Sequence, residues 1–221
     1  MPTKAELEQQ LDDLKHDLRR SERALNQARL DLEQLDTNAY TQSHTTPALS
    51  PQTRQALDRA YAEWERVVVD PDARVDTYCK SREGAGWSWQ ADYTKNGQYA
   101  WCGFFAAFCH TAVKFPIRQK IFPSCYRLYK NWSKTSRSIE HGKVAPGDIV
   151  VVYSSKRALQ GDHITLCIDN STINEGYITT IEGNAHGTLG NGEYGEGVIK
   201  RQRKFSEFAH VYRLLGEDFD E

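Results

Sequence analysis

Within Tyr99-Ala100-Trp101-Cys102-Gly103-Phe104-Phe105-Ala106-Ala107-Phe108-Cys109-His110, the residue placed to do chemistry is Cys102. Phe105, Ala106, Cys109 and Val113 follow it at spacings of three, four, seven and eleven, which trace one apolar face of an α-helix. Lys95, Asn96 and Gly97 upstream are turn residues, so the spacing predicts a buried helix that opens at Cys102. A thiol in the first turn of a helix lies at the positive end of the macrodipole, which favours the nucleophilic thiolate. The competing reading is a small apolar core residue, the usual fate of a free cysteine. A base elsewhere in the chain has to decide between them.

A cysteine hydrolase needs an imidazole to take and return a proton, and a polar group to orient that imidazole. Of the seven histidines, His16 lies in a heptad segment, His44 in a polar linker, His141 in a turn and His186 in a glycine-rich stretch. His110 is more than two helical turns beyond Cys102, and His210 begins the last strand. His163 stands at the start of a strand directly after a turn, where a side chain reaches over a neighbouring helix end; the alternative is an ordinary strand-end histidine. Glu182, with Asn184 two residues on and on the same strand face, supplies the orienting group.

The elements that must position these residues follow in order. Ser50-Pro51 reads as an N-cap and a helix-starting proline, with Leu57, Ala60, Tyr61 and Trp64 as the buried stripe of that helix. Asp70-Pro71 ends it, and Val75 to Cys79 forms a second short helix. Residues 81 to 98 read as a surface loop whose Trp87 and Trp89 either line a groove or cap the core edge. The segment 115 to 142 is irregular and basic, with Tyr126, Tyr129 and Trp132 on a helix. Val144 to Asp148 turns into a β-branched strand, Ile149 to Tyr153, and Ser154 to Gly161 is a polar turn. In the next strand, Ile164, Leu166 and Ile168 face one way and His163, Thr165 and Cys167 the other. A strand over 177–184 follows, then a stretch from Gly183 to Gly197 with six glycines, expected to be a long mobile loop. Strands over 198–205 and 210–215 close an antiparallel sheet. Helices followed by strands make an α+β layout.

Four motifs in this order, Trp101-Cys102-Gly103-Phe104-Phe105, Pro146-Gly147-Asp148-Ile149-Val150-Val151, Asp162-His163-Ile164 and Glu182-Gly183-Asn184, resemble a CHAP domain, the cysteine- and histidine-dependent amidohydrolase/peptidase relative of the NlpC/P60 group. The resemblance covers roughly residues 52 to 215. It implies a papain-like fold, with N-terminal helices packed on an antiparallel sheet, and cleavage of an amide bond in peptidoglycan. That bond is the muramoyl–alanine amide or one within the stem or cross-bridge peptide. Carried over, Cys102 is the nucleophile, His163 the general base and acid, and Glu182 the third polar residue, with Asn184 its alternative or support. The Cys102 backbone N–H would hold the oxyanion with a second donor from Gln98 or Tyr99, while Trp101 and Trp87 would meet substrate. No metal or cofactor is implied. Ile164 and Thr165 depart from relatives that carry a small residue after the histidine.

Other readings are weighed against this one. A zinc site from Cys102, Cys109 and His110 lacks any Cys-x-x-Cys pair. Lys200, Arg201, Arg203 and Lys204 read as a solvated strand edge, and Cys79, Cys109, Cys125 and Cys167 as inert core thiols. The alternative functions are a retired hydrolase fold that only binds and assembles, and an amidase acting on another small peptide amide such as a glutathione–polyamine conjugate.

Hydrophobic residues make up 39% and charged residues 26% of the 221-residue chain, which allows one sizeable domain plus an extension. A net charge of −2 argues against a dedicated nucleic-acid binder. Five cysteines without close pairing do not form a disulfide framework. No apolar run reaches membrane-spanning length, and the charged N-terminus lacks a signal-peptide core. The expected division is a coiled-coil helix over 1–36, a Thr/Ser/Pro-rich linker over 37–51, the catalytic domain over 52–215 and an acidic tail over 216–221. With no wall-binding module after the domain, action in the periplasm or cell wall implies non-Sec delivery, as a phage component or a contact-dependent toxin with a delivery or immunity partner.

Leu7, Leu11, Leu14, Leu18, Ser21, Leu25, Ala28, Leu32 and Leu35 alternate spacings of four and three, a coiled-coil seam that joins a second copy or a partner helix. The alternative is a helix folded back on its own chain. Removing residues 1 to 36 is expected to lower the mass measured by light scattering; an unchanged monomer mass would favour the folded-back helix.

Overall fold

The computed structural model describes residues 49–69, 72–86, 100–153 and 159–220. The expected coiled coil over 1–36, nearly all of the 37–51 linker, and Trp87, Trp89, Gln98 and Tyr99 lie outside these residues. Helix α1 (Pro51–Glu65) begins where Ser50 accepts the Thr53 N–H at 3.1 Å and Pro51 fills the first turn. Asp72 caps α2 (Ala73–Lys80) by accepting the Arg74 N–H at 2.6 Å. Buried Glu63 ties these two helices, accepting from Arg74 Nη2 at 2.6 Å and from the Tyr78 hydroxyl.

All eight residues of α3 (Cys102–Cys109) are buried. A helix apolar on every side has to be enclosed on every side, and α3 packs against α1, α2 and the central strands. Two short helices follow, α4 (Phe115–Lys120) and α5 (Cys125–Trp132). The second carries Tyr126, Tyr129 and Trp132 as the sequence predicts; the first, with Pro116 in its opening turn, interrupts a segment expected to be irregular.

Six strands complete an α+β architecture: β1 (Ser138–Ile139), β2 (Ile149–Val152), β3 (His163–Asp169), β4 (Tyr177–Thr188), β5 (Tyr194–Lys204) and β6 (Phe208–Tyr212). They form one antiparallel sheet in the order β1-β6-β2-β3-β4-β5. Period-two alternation sorts its side chains. Ile149, Val151, Ile164, Leu166 and Ile181 join α3 in the larger core, while Val150, Val152, Cys167 and Ile178 form a smaller core with Phe208 and Val211. Among the described residues, no helix is long and apolar enough to cross a membrane.

One expectation is corrected. The stretch from Gly183 to Gly197 is not a long mobile loop: β4 and β5 run through it as a paired hairpin, and only a tight turn around Leu189 to Glu193 separates them. Its glycines serve close approach. A Cβ on Gly183 would lie 2.5 Å from the Trp101 ring and 2.6 Å from Phe105 Cβ, and one on Gly197 would lie 2.2 Å from the Val68 carbonyl oxygen. The acidic segment that follows, over 216–220, is held by specific contacts. Buried Asp218 accepts a two-pronged bond from Arg137 at 2.6 and 2.9 Å, its carbonyl accepts the Lys114 N–H at 2.8 Å, and Phe219 bridges to Val113.

Gly183 is therefore the point at which β4 touches α3 and the residue that precedes it. Gly183→Ala is expected to lower stability by about 1–3 kcal/mol through overpacking. Gly142→Ala, where nothing lies within 4 Å of the new methyl group, should be close to neutral. Urea denaturation of the two variants measures the difference.

Candidate active site

Cys102 is the first residue of α3 and is 5% exposed. No side chain caps this helix; its opening instead converges on the thiol, towards which the backbone N–H groups of Gly103 and Ile164 point. The imidazole of His163, the first residue of β3, is hydrogen-bonded to the same sulfur. Its Nε2 lies 3.1 Å from Glu182 Oε2, which leaves Nδ1 for the thiol. Glu182, on the adjacent strand β4, is fully buried.

Burial alone would push these groups towards their neutral forms. It raises the Cys102 thiol, but the charge and hydrogen bond of His163 and the two backbone N–H groups override it and bring the thiol below its ordinary value. Burial likewise disfavours the imidazolium, yet Cys102 and then Glu182 hold His163 up to about 9. For Glu182, burial is outweighed by hydrogen bonds from His163 and Arg203, which keep the carboxyl well below the usual carboxylate range. The three groups form a continuous thiol–imidazole–carboxylate chain, with the thiol titration lowered and the imidazole titration raised.

Asn184 does different work from that expected. A bulge between Glu182 and Ala185 breaks the alternation of β4, and Asn184 sits there at φ 58°. Its Oδ1 accepts the Trp101 N–H at 2.7 Å and its Nδ2 donates to Glu196 Oε1 at 3.0 Å. Glu182 takes the imidazole, and Asn184 braces the backbone just before Cys102. Trp101 is likewise not a substrate-facing residue: its ring is fully buried against Tyr78, at 5.9 Å between centroids, and against Gly183. Gln98, Tyr99 and Trp87 lie outside the described residues.

The remaining candidates are placed elsewhere. Cys109 and Cys167 are core thiols that burial pushes well above the ordinary value. His110 is enclosed beside Phe122 and pushed down to about 4 by burial. His210 lies tilted against Tyr129 with ring centroids 5.0 Å apart and stacks on Tyr212 at 5.9 Å, and His186 faces Glu196 at 3.3 Å. Among the described residues, no group of three His, Cys, Asp or Glu side chains is placed to hold a metal ion.

The sequence reading missed two residues. Thr180 Oγ1 donates to Glu182 Oε1 at 2.6 Å, and Arg203 donates to both Glu182 oxygens. Arg203 was expected on a solvated edge, and the structure corrects this: it is 7% exposed. Period-two alternation held the signal, since Lys200, Gln202 and Lys204 face water while Arg201 and Arg203 share the face of Thr180 and Glu182.

No protein-family model, no curated protein and no solved structure matches this chain. Function is therefore argued from the site. An enclosed thiol of lowered pKa beside an imidazole of raised pKa, with a carboxylate on the far imidazole nitrogen, has the groups needed for nucleophilic attack on a carbonyl and protonation of the leaving group.

Because the folded-state pKa of His163 is raised, the stability it contributes is fully present below about pH 6.5 and is lost as the pH rises through about 9. In an NMR titration, His163 should hold its proton to about pH 9. In Cys102→Ser, which removes the thiolate, that titration should fall by about one unit or more.

Proposed function

We propose that the protein is a cysteine amidohydrolase of the CHAP type, with a papain-like arrangement of the Cys102 helix on its sheet, and that it cleaves an amide bond in peptidoglycan. The observation that carries this reading is the continuous chain from Cys102 through His163 to Glu182, built from three elements around one enclosed sulfur. The order of the four sequence motifs supports the substrate class. A retired fold that only binds would have no need to keep a buried carboxylate on the imidazole.

The thiolate of Cys102 attacks the amide carbonyl, and the oxyanion forms beside the uncapped start of α3, where the Cys102 N–H is one donor. The His163 imidazolium gives its proton to the departing amine, leaving a thioester on Cys102. Water, deprotonated by the now neutral His163, attacks the thioester; the collapse releases the acid and expels the Cys102 thiolate, restoring the thiolate–imidazolium pair. Glu182 fixes the imidazole so that Nδ1 faces sulfur in both steps. Residues 3 to 36 would bring the domain to a second copy or a delivery partner, and its place of action would be the periplasm or cell wall.

Cys102→Ala should reduce release of fragments from purified sacculi by about 10³-fold or more while leaving thermal unfolding cooperative, and His163→Ala should do the same. Mass spectrometry of the muropeptides names the bond cleaved. Wild-type digestion by Cys102→Ala would rule the assignment out.

A further inference from the structure

We propose that Arg203 is a positioning residue of this site, whose guanidinium keeps the enclosed Glu182 carboxylate ionised and aimed at His163. The proposal rests on the reading of Cys102 as nucleophile and His163 as its base. A carboxylate accepts about four hydrogen bonds, and Glu182 has four from side chains. Oε1 takes Thr180 Oγ1 at 2.6 Å and Arg203 Nε at 2.7 Å; Oε2 takes Arg203 Nη2 at 2.6 Å and His163 Nε2 at 3.1 Å. The two-pronged contact sets the carboxylate plane; of the two acceptor directions it leaves open, Thr180 fills the one on Oε1 and the one on Oε2 points at the imidazole.

Arg203 is itself anchored on its far side. Its Nη1 donates to Glu207 Oε1 at 2.8 Å, and Glu207 Oε2 accepts the Lys204 N–H at 2.7 Å. The charged groups around Glu182 and the pair it serves come from several elements. From β3 comes His163, from α3 Cys102, and from β5 Arg203 and the more exposed Arg201, whose Nε is 3.8 Å from Oε2. Glu207 lies behind Arg203, and Cys125 at the start of α5 and Asp162 are close enough to Cys102 or to each other to interact through their charges. Arg203 is the cation that contacts both oxygens of the carboxylate. An ion pair that only tied β4 to β5 would have no reason to share its carboxylate with the imidazole.

The sign follows from this arrangement. Without the Arg203 charge, the buried carboxyl is easier to protonate, and a neutral Glu182 no longer supports the imidazolium. The loss of positive charge near the thiolate acts in the same direction. Both effects move the titration of Cys102 to higher pH.

The test uses the full chain and needs no substrate. The rate of iodoacetamide alkylation is measured against pH, with the label assigned to Cys102 by peptide mass spectrometry. Wild-type Cys102 should react well below the pH of an ordinary thiol; if it does not, the nucleophile reading falls before the question of Arg203 arises. Arg203→Met should move the acid limb up by about one pH unit, a loss of about tenfold in rate on that limb. Arg203→Lys, which keeps the charge but loses the fork, should leave the limb in place. An Arg203→Met profile that superimposes on wild type overturns the proposal, as does an Arg203→Lys limb displaced equally far. If circular dichroism shows Arg203→Met unfolded, Arg203→Gln, which also removes the charge but keeps a hydrogen-bonding side chain, takes its place. A shift in the same direction supports the proposal, and an unchanged profile overturns it.

Discussion

A carboxylate sealed from water is tolerable only when its acceptor sites are filled, because the unpaired ion costs several kcal/mol. Glu182 meets that condition with donors from three places: Thr180 on its own strand, Arg203 on β5 and His163 on β3. The strand order β3-β4-β5 follows the same logic, since the carboxylate strand must lie between its two cationic partners. The same satisfaction fixes the imidazole, so the stability of the sheet and the geometry of the site rest on one group.

The five cysteines of the chain supply an internal comparison. Cys109 is as enclosed as Cys102 and lies on the same helix, yet its thiol is pushed well above the ordinary value while that of Cys102 is brought below it. Burial is common to both. What separates them is the contact with His163 and the N–H groups of Gly103 and Ile164. An eight-residue helix has a modest dipole whose effect falls off within a turn, so position at the helix start is less decisive than the residue that faces it from β3. Cys167, on β3 itself, makes the same point: a strand position near acidic neighbours raises a thiol further.

Much of this was legible in the sequence because it obeys a period. Helical spacing located the buried helix that opens at Cys102, alternation sorted β3 between two cores, and turn residues marked the strand starts. Residues that break a period or reach across the sheet were harder to read. The glycines between 183 and 197 looked like a loop because composition does not say what a missing Cβ makes room for; here it is Trp101, Phe105 and the Val68 carbonyl. Arg203 looked solvated because four of the five residues from Lys200 to Lys204 are basic, and only the register with Thr180 and Glu182 turns it inward. The contacts of the segment from Gly216 did not show because the partner of Asp218, Arg137, is 81 positions away.

The bulge at Asn184 explains how neighbouring residues come to serve different elements. On an unbroken strand, Glu182 and Asn184 would share a face and compete for one imidazole. One extra residue in β4 opposite β5, with Asn184 in the left-handed region that asparagine tolerates better than most side chains, releases it from that face. Glu182 then reaches the base, while Asn184 reaches the backbone of Trp101 and fixes where α3 begins. The intervening Gly183 lets β4 close against Trp101 and Phe105. Three consecutive residues of one strand thus set the imidazole, the packing of the nucleophile helix and its starting point. A shift in the register of β4 would displace all three together.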